Sequence, residues 1–253
     1  MRIPIIARWA AISILGSVPA WYSQAIAQEG DRAVVGAGIL VAPALQGAED
    51  YRVIPLPAVD IKQGWIVVNL RNGAGLAPIN TATVTIGGSV VYMQGYRRRD
   101  VPRGVDRLSD GIGARAFANI RAGGFVTTVG IVQGISGQTK GLIADATASY
   151  PISAARRLTL APTVGTTWAN GKYNDRYFGI SSTEAMASGL PRFSTGAGFK
   201  DVTASLGASY RLTDRVTINA TGGFVSLVGG VKDSPLVERK AQPTGFFSLA
   251  YRL

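Results

Sequence analysis

The chain has neither histidine nor cysteine. Without histidine the commonest general base, the Ser-His-Asp arrangement and the usual zinc ligands are all excluded. Without cysteine there can be no disulfide, no thiolate metal site and no lipidated N-terminal cysteine. Charge is also scarce, at 16% of residues against a usual ~25%. Apolar residues reach 47%, yet past the N-terminus none of them form the uninterrupted run of roughly 18 that a membrane helix needs. A helical membrane protein is therefore excluded. Chemistry by carboxylates alone would require paired acids, and Asp175, Glu184, Asp201, Asp233 and Glu238 are spread over two predicted loops with no telling spacing. No enzymatic activity and no cofactor are expected.

Glycine is abundant, 32 residues in 253. With Thr, Ser, Val and scattered aromatics it favours many short strands joined by turns, an all-β chain. The N-terminus reads as an export signal over residues 1–27. Arg2 and Arg8 supply positive charge, an uncharged stretch runs from Trp9 to Tyr22, and Ala25-Ile26-Ala27 offers a small-x-small cleavage site. The expected mature domain is 28–253.

Several segments alternate with period two, which sends successive side chains to opposite faces of a sheet. Val202, Ala204, Leu206, Ala208, Tyr210 and Leu212 share one face, while Thr203, Ser205, Gly207, Ser209 and Arg211 share the other. The same holds for Val216, Ile218, Ala220 and Phe224, and for Leu158, Leu160, Val164 and Trp168. A soluble barrel would turn the apolar face inward, and a transmembrane barrel would turn it to lipid. The export signal and strands long enough to cross a hydrocarbon band of about 25 Å at a tilt near 40° favour lipid. So does a repeated ending: Tyr150-Pro151-Ile152, Tyr210-Arg211-Leu212 and Tyr251-Arg252-Leu253. Tyr150, Tyr210 and Tyr251 would form an aromatic girdle at one interface, where the ring seeks lipid and the phenol seeks water.

These endings predict an antiparallel transmembrane β-barrel whose short turns lie on the periplasmic side. The expected strands are 32–42, 50–60, 65–71, 74–79, 82–92, 110–121, 124–135, 140–150, 157–168, 201–212, 215–227 and 243–253. The short pair 65–71 and 74–79 leaves a ten-stranded alternative open. Asn72-Gly73 is read as a tight turn in which both residues tolerate positive φ.

The C-terminal third carries Tyr177-Phe178-Gly179-Ile180-Ser181, Glu184-Ala185, Ser188-Gly189-Leu190-Pro191 and Gly196-Ala197-Gly198. It continues through Lys200-Asp201-Val202, Tyr210 to Asp214 and Asp233-Ser234-Pro235. The N-terminal half has Gly36-Ala37-Gly38, Pro43, Tyr51-Arg52-Val53 and Pro55-Leu56-Pro57. Together these resemble the MipA/OmpV family over nearly the whole mature chain. The resemblance implies a barrel in the outer membrane of a Gram-negative cell. It also implies a scaffolding or interaction role at the envelope, with murein-synthesis or murein-hydrolysis proteins as partners. The chain departs from the family in ending on Leu253 rather than an aromatic, and in its basic Arg97-Arg98-Arg99 segment.

The long loop 169–200 is the foremost candidate site, because structureless loops of that length usually fold on themselves or bind something. Tyr173, Tyr177, Phe178 and Phe193 can form a local core. Ser182 to Ala187 can form a helical turn, capped by Ser181 or Ser182 and stopped by Gly189-Leu190-Pro191. The loop, with Asp233-Ser234-Pro235, is either an interaction surface or a plug. Arg97, Arg98, Arg99, Arg103 and Arg107 form an outward basic loop. It either meets lipopolysaccharide phosphates through guanidinium forks or is neutralised by Asp100, Asp106 and Asp110. Membrane lipid and lipopolysaccharide are expected partners; nucleic acid is not, since no stacking platform accompanies the basic residues. Two functions remain open, an interaction barrel and a small diffusion pore in which inward-facing Arg115, Arg121 and Arg211 would favour anions.

Overall fold

The computed structural model describes residues 31–253, so the expected signal segment lies outside the described residues. Strands β1 (Arg32–Pro43), β2 (Tyr51–Gln63), β3 (Ile66–Asn69), β4 (Gly73–Asn80), β5 (Val84–Met93), β6 (Gly111–Ala122), β7 (Phe125–Gly134) and β8 (Leu142–Ser149) follow one another. After them come β9 (Ile152–Ala155), β10 (Leu158–Ala169), helices α1 (Gly171–Phe178) and α2 (Ser182–Ser188), β11 (Gly198–Arg211), β12 (Val216–Leu227) and β13 (Ala241–Arg252). Every pairing is antiparallel, and β13 pairs with β1 to close the sheet. The barrel has 12 staves, because β8 and β9 pair with successive parts of β10 and form one stave interrupted at Tyr150-Pro151. Proline cannot donate to the ladder, so the break falls where the sequence reading ended a strand. That reading placed the whole of 151–156 in a turn. The pairing of Ile152 with Leu160 instead carries the stave on, and the turn shrinks to Arg156-Arg157.

The alternating pattern resolves toward lipid. Leu206, Val164, Phe224 and Val202 face outward and are exposed, whereas Thr163, Thr167 and Thr221 are buried on the inner face. Tyr150, Tyr210 and Tyr251 lie at the rim of the short turns and are 42%, 45% and 41% exposed. Tyr150 packs edge-on against Phe125 at 4.9 Å between ring centres. The opposite rim carries the long connections 44–50, 94–110, 170–197 and 228–240.

One hairpin breaks the cylinder. β3 pairs with β2 only over Asp60–Gln63, so Tyr51–Val59 has a strand neighbour on the β1 side alone. Pro55 and Pro57 stand on that free edge, where a missing N–H costs the sheet nothing. The tip between β3 and β4 turns into the lumen, and Leu70 packs with Leu40, Leu56 and Phe246. At this turn only Gly73 has positive φ, at 76°. Asn72 does not share it as expected; the Asn69 side chain accepts from its N–H at 2.8 Å and holds the turn in ordinary backbone geometry.

Candidate functional site

The long connections form a lid over the barrel mouth. Asn170 caps α1 by accepting from the Tyr173 N–H at 2.9 Å, so the helix follows β10 without a linker. Tyr173 and Tyr177, one turn apart, stack at 5.7 Å with an interplanar angle of 12°. Helix α2 starts in a capping box. Ser181 Oγ accepts from the Glu184 N–H, and Glu184 accepts in return from the Ser181 N–H at 2.9 Å. Gly189 ends α2 in the left-handed region at φ 74°, the conformation a helix stop requires.

A single apolar cluster joins the lid to the mouth. It gathers Leu45 and Ala48 from the first long connection, with Tyr96, Val101, Val105 and Leu108 from the second. Tyr177, Phe178 and Ile180 come from the third, and Val231 and Leu236 from the last. Below them Met93, Val132, Ile143 and Leu227 belong to strand ends. Each such burial stabilises by roughly 1.5–3 kcal/mol, so the lid is a packed body rather than a set of tethered loops. Phe178 is fully enclosed, at 0% exposure. Burial pushes the Tyr177 phenol up to about 12, against the lowering effect of its bond from the Gln46 N–H. Tyr96 and Tyr173 are raised as well, first by burial.

Directional bonds stitch the lid. Ser234 Oγ donates to the Phe178 carbonyl at 2.6 Å, tying the last connection to the end of α1. Gln242 spans Gly47 and Ala48 through both ends of its amide, at 2.8 and 2.6 Å. Glu184 accepts from the Asp106 N–H at 3.0 Å and so joins α2 to the basic loop. Burial raises the Glu184 carboxyl, but bonds from Ser181 and Asp106 and the charge of Arg176 bring it below its ordinary range. Beneath the lid Lys200 and Asp201 pair at 2.5 Å, both fully enclosed. Lys200 Nζ also donates to Gln46 Oε1 at 2.8 Å. A register shift opposite Thr167/Trp168 turns these neighbours inward together, as a bulge re-aims side chains.

Lower in the lumen Asp145 on β8 accepts from Arg115 on β6 at 2.8 and 3.0 Å, and from Arg71 of the β3–β4 tip at 3.0 Å. Asn72 accepts from Arg115 Nε at 3.2 Å. A Cβ on Gly130 would collide with the Arg115 guanidinium, so glycine there makes room for the crossing. Two arginines, one from the wall and one from the in-turned tip, thus share one carboxylate in the lumen.

The structure brings Tyr177, Phe178, Gly179, Ile180, Ser181, Glu184 and Asp233-Ser234-Pro235 into the lid, with Ser188 ending α2 and Gly189, Leu190 and Pro191 following it. The arginines of the basic loop stay outside this cluster. Arg97, Arg98, Arg99, Arg103 and Arg107 are exposed at the rim. Asp100 turns inward to Arg52, and Asp106 lies 3.9 Å from Arg98, so the loop is neutralised only in part. Arg115, Arg121 and Arg211 occupy inner-face positions, as the alternation predicted. The Arg71–Asn72–Asp145 crossing and the Lys200–Asp201–Gln46 cluster escaped the sequence reading. Charged residues inside otherwise alternating strands, such as Asp145 in Leu142–Ser149, were the signal for the first. Helix α1 was also missed, although Asn170 stands ahead of an i, i+4 tyrosine pair.

Fold and lid together define a closed antiparallel membrane barrel whose long connections pack together over one mouth. Residues 35–253 match the family described as MltA-interacting protein MipA, and the chain belongs to that family. It is an outer-membrane protein. It is 30% identical over 96 residues to a protein of Escherichia coli (strain K12) named as outer membrane protein YiaT, covering 38% of this chain and 39% of that one. It is 29% identical over 82 residues to the MltA-interacting protein of the same strain, covering 32% and 33%. The aligned stretches thus span well under half of these relatives. A solved NanC porin structure is 8% identical with a TM-score of 0.46, covering 87% of this chain and all of that one.

Proposed function

We propose that this protein is a non-enzymatic interaction barrel that holds murein-processing proteins at the outer membrane. The observation that carries the reading is the double obstruction of the lumen. An apolar lid packs over the outer mouth, and beneath it the in-turned β3–β4 tip reaches from Leu40 and Phe246 on one wall to Asp145 on another. A barrel built to pass solutes has no use for both. The relative named MltA-interacting protein is by its name a binding protein, which supports the same role here. The surfaces left for partners are the lid's outer face and the turn rim. The exposed Arg97, Arg98, Arg99, Arg103 and Arg107 suit lipopolysaccharide phosphates beside the first of these. Affinity capture from detergent-solubilised envelopes is expected to recover cell-wall enzymes in stoichiometric amounts; repeated pulls without them would overturn the reading.

The second reading, a small anion-favouring pore, has inner-face Arg121 and Arg211 on its side. Asp145 already neutralises part of the charge of Arg115, which weakens it. Planar-bilayer recording separates the two: the plugged barrel should show no steady conductance, and regular anion-selective steps would reinstate the pore.

A further inference from the structure

Cations crowd the inner face of the barrel at the turn end. Arg32 shares its face of β1 with the buried Leu40 and Ala42, and Lys62 shares its face of β2 with the buried Ala58 and Asp60. Arg121 follows the buried Phe117 and Asn119 on β6. Arg211 continues the row of Ser209 on β11, and Arg252 continues Ser248 and Ala250 on β13. Arg157 and Arg215 stand in the adjoining turns, Arg157 donating to the Leu212 carbonyl and Arg215 to the Tyr251 hydroxyl, each at 3.2 Å. In sheet order the inner-face positions lie on β11, β13, β1 and β2, with Arg157 and Arg215 in the turns beside them and Arg121 across from the arc.

The arrangement opposes ordinary sheet design. Arg32 stands directly across from Lys62. The Arg211 N–H donates to the Arg157 carbonyl at 2.9 Å, and the Arg252 N–H to the Arg215 carbonyl at 2.8 Å, so these arginines are backbone partners at the rim. Like charges directly opposite are destabilising. Among the described residues Asp60 is the acid on the inner face of these strands, and Arg32 occupies it at 2.7 Å; Asp31 and Asp214 stand in the segments beside them. Among the described residues no carboxylate lies within ion-pair distance of Arg157, Arg211, Arg215 or Arg252. All four are exposed. Neutral hydrogen-bonding groups line the wall above them. Ser209 donates to Asn219 at 2.8 Å, Asn219 to Ser248 at 3.2 Å, and Thr128 to Asn119 at 2.9 Å. Higher still, the β3–β4 tip reaches across the lumen, Leu70 packing with Leu40, Leu56 and Phe246 and Arg71 pairing with Asp145.

We infer that this half of the lumen is a blind anion-binding cup, open on the short-turn side, that takes a soluble molecule bearing several carboxylates or phosphates. Guanidinium forks bind both groups bidentately, and such a ligand would relieve the like-charge pairs. The short-turn rim is the periplasmic one in barrels of this class, so the ligand comes from the periplasm. Lipid phosphate is the poorer fit, because Tyr210 and Tyr251 take the lipid face and their neighbours Arg211 and Arg252 take the other. Arg215 alone reaches back, donating to the Tyr251 hydroxyl at 3.2 Å. The inference does not depend on the interaction role proposed above.

The test is calorimetric titration of the refolded full chain in zwitterionic detergent with tripolyphosphate and, separately, with citrate. Saturable binding that weakens with added salt is expected for at least one of them, since ion pairing is screened. The Arg157→Gln/Arg211→Gln double variant should bind about tenfold more weakly or worse. The outer-loop double variant Arg98→Gln/Arg107→Gln should bind as the parent does. Heat-modifiable gel mobility checks that each variant is folded, and Arg252→Gln replaces the double variant if that one is not. A preference for one probe tells phosphate from carboxylate. No binding of either anion at low salt overturns the cup. So does loss of binding in the outer-loop variant alone, or its abolition when the barrel sits in phosphatidylglycerol-containing nanodiscs, which would assign the arginines to headgroups. Failure here leaves the envelope pull-downs untouched, and failure there leaves these titrations untouched.

Discussion

At the loop end of the barrel Lys200 meets Asp201, Arg52 meets Asp100, Arg239 meets Glu49 and Lys240 meets Asp233. At the turn end Arg157, Arg211, Arg215 and Arg252 meet no carboxylate among the described residues. The loop end pairs the charges that are enclosed by the lid or bind its segments together, while the basic-loop arginines stay exposed outside it; an unpaired charge under the lid would be costly. The turn end lies in water, where cations can stand side by side at modest cost. The difference separates the tasks of the two ends. Under the lid polar groups hold the closed end together, whereas inside the turn end they are left for something outside the chain.

The largest expected effect breaks the closed end. Phe178→Ala removes a side chain with no exposed surface from the middle of the lid cluster, and cavities of this kind cost about 3–5 kcal/mol. The strands should be unaffected, since Phe178 belongs to none of them. Hydrogen exchange is expected to show residues 170–197 losing protection while β10 and β11 keep theirs. If the lid remains as protected as in the parent, the cluster is not what seals the mouth.

Next in size is the axial crossing. Asp145→Asn leaves Arg71 and Arg115 facing each other without a counter-charge. Removing one partner from a buried pair costs about 3 kcal/mol or more when burial is complete; Asp145 is slightly exposed, so about 3 is the upper figure here. The denaturant midpoint should fall, and the β3–β4 tip should become cleavable at Arg71. An unchanged midpoint would mean that Leu70 packing alone holds the tip. Smaller again is Ser234→Ala, which strips the Phe178 carbonyl of its buried donor at a cost of about 1–3 kcal/mol. It should loosen residues 228–240 without opening the rest of the lid, and exchange rates across both connections would show whether the loosening spreads.

The walls were legible in the sequence because period two is a local signal that every strand repeats. Predicted and observed strands agree to within a few residues from 32–42 against Arg32–Pro43 to 243–253 against Ala241–Arg252. The alternation also set which face meets lipid, since Leu206 and Thr163 differ in exposure as their parity requires. The helical turn after Ser181 was readable for a similar reason: a cap, an acid three residues on and a stopping glycine lie within one short stretch. The Lys200–Gln46 bond could not be read, because it joins residues 154 apart in sequence. The Arg71–Asp145 pair, 74 apart, depends on a hairpin tip that bends inward, and no local pattern announces that. Asn72 was misjudged because residue type alone suggested positive φ, while the actual turn relies on a bond from its own N–H to Asn69.

The smallest expected effect concerns the seam between α2 and the basic loop, and it tests whether charge at the closed end serves attachment. Glu184 accepts from Ser181 and from the Asp106 N–H, and these bonds hold its carboxyl below the ordinary value of 4.5 despite some burial. A depressed folded-state value means that the ionised form stabilises the seam. That contribution is complete above the ordinary value and drains away as pH falls through the lower folded one. Protease cleavage near residues 182–189 should therefore accelerate on acidification below 4.5, modestly, because the group is largely solvated. Glu184→Gln keeps an acceptor oxygen but cannot titrate, so its cleavage rate should start higher and stay flat over the same range. An equal acid response in parent and variant would move the sensitivity to another carboxylate, with Asp175 the next to examine because it accepts from the Thr195 N–H within the same connection.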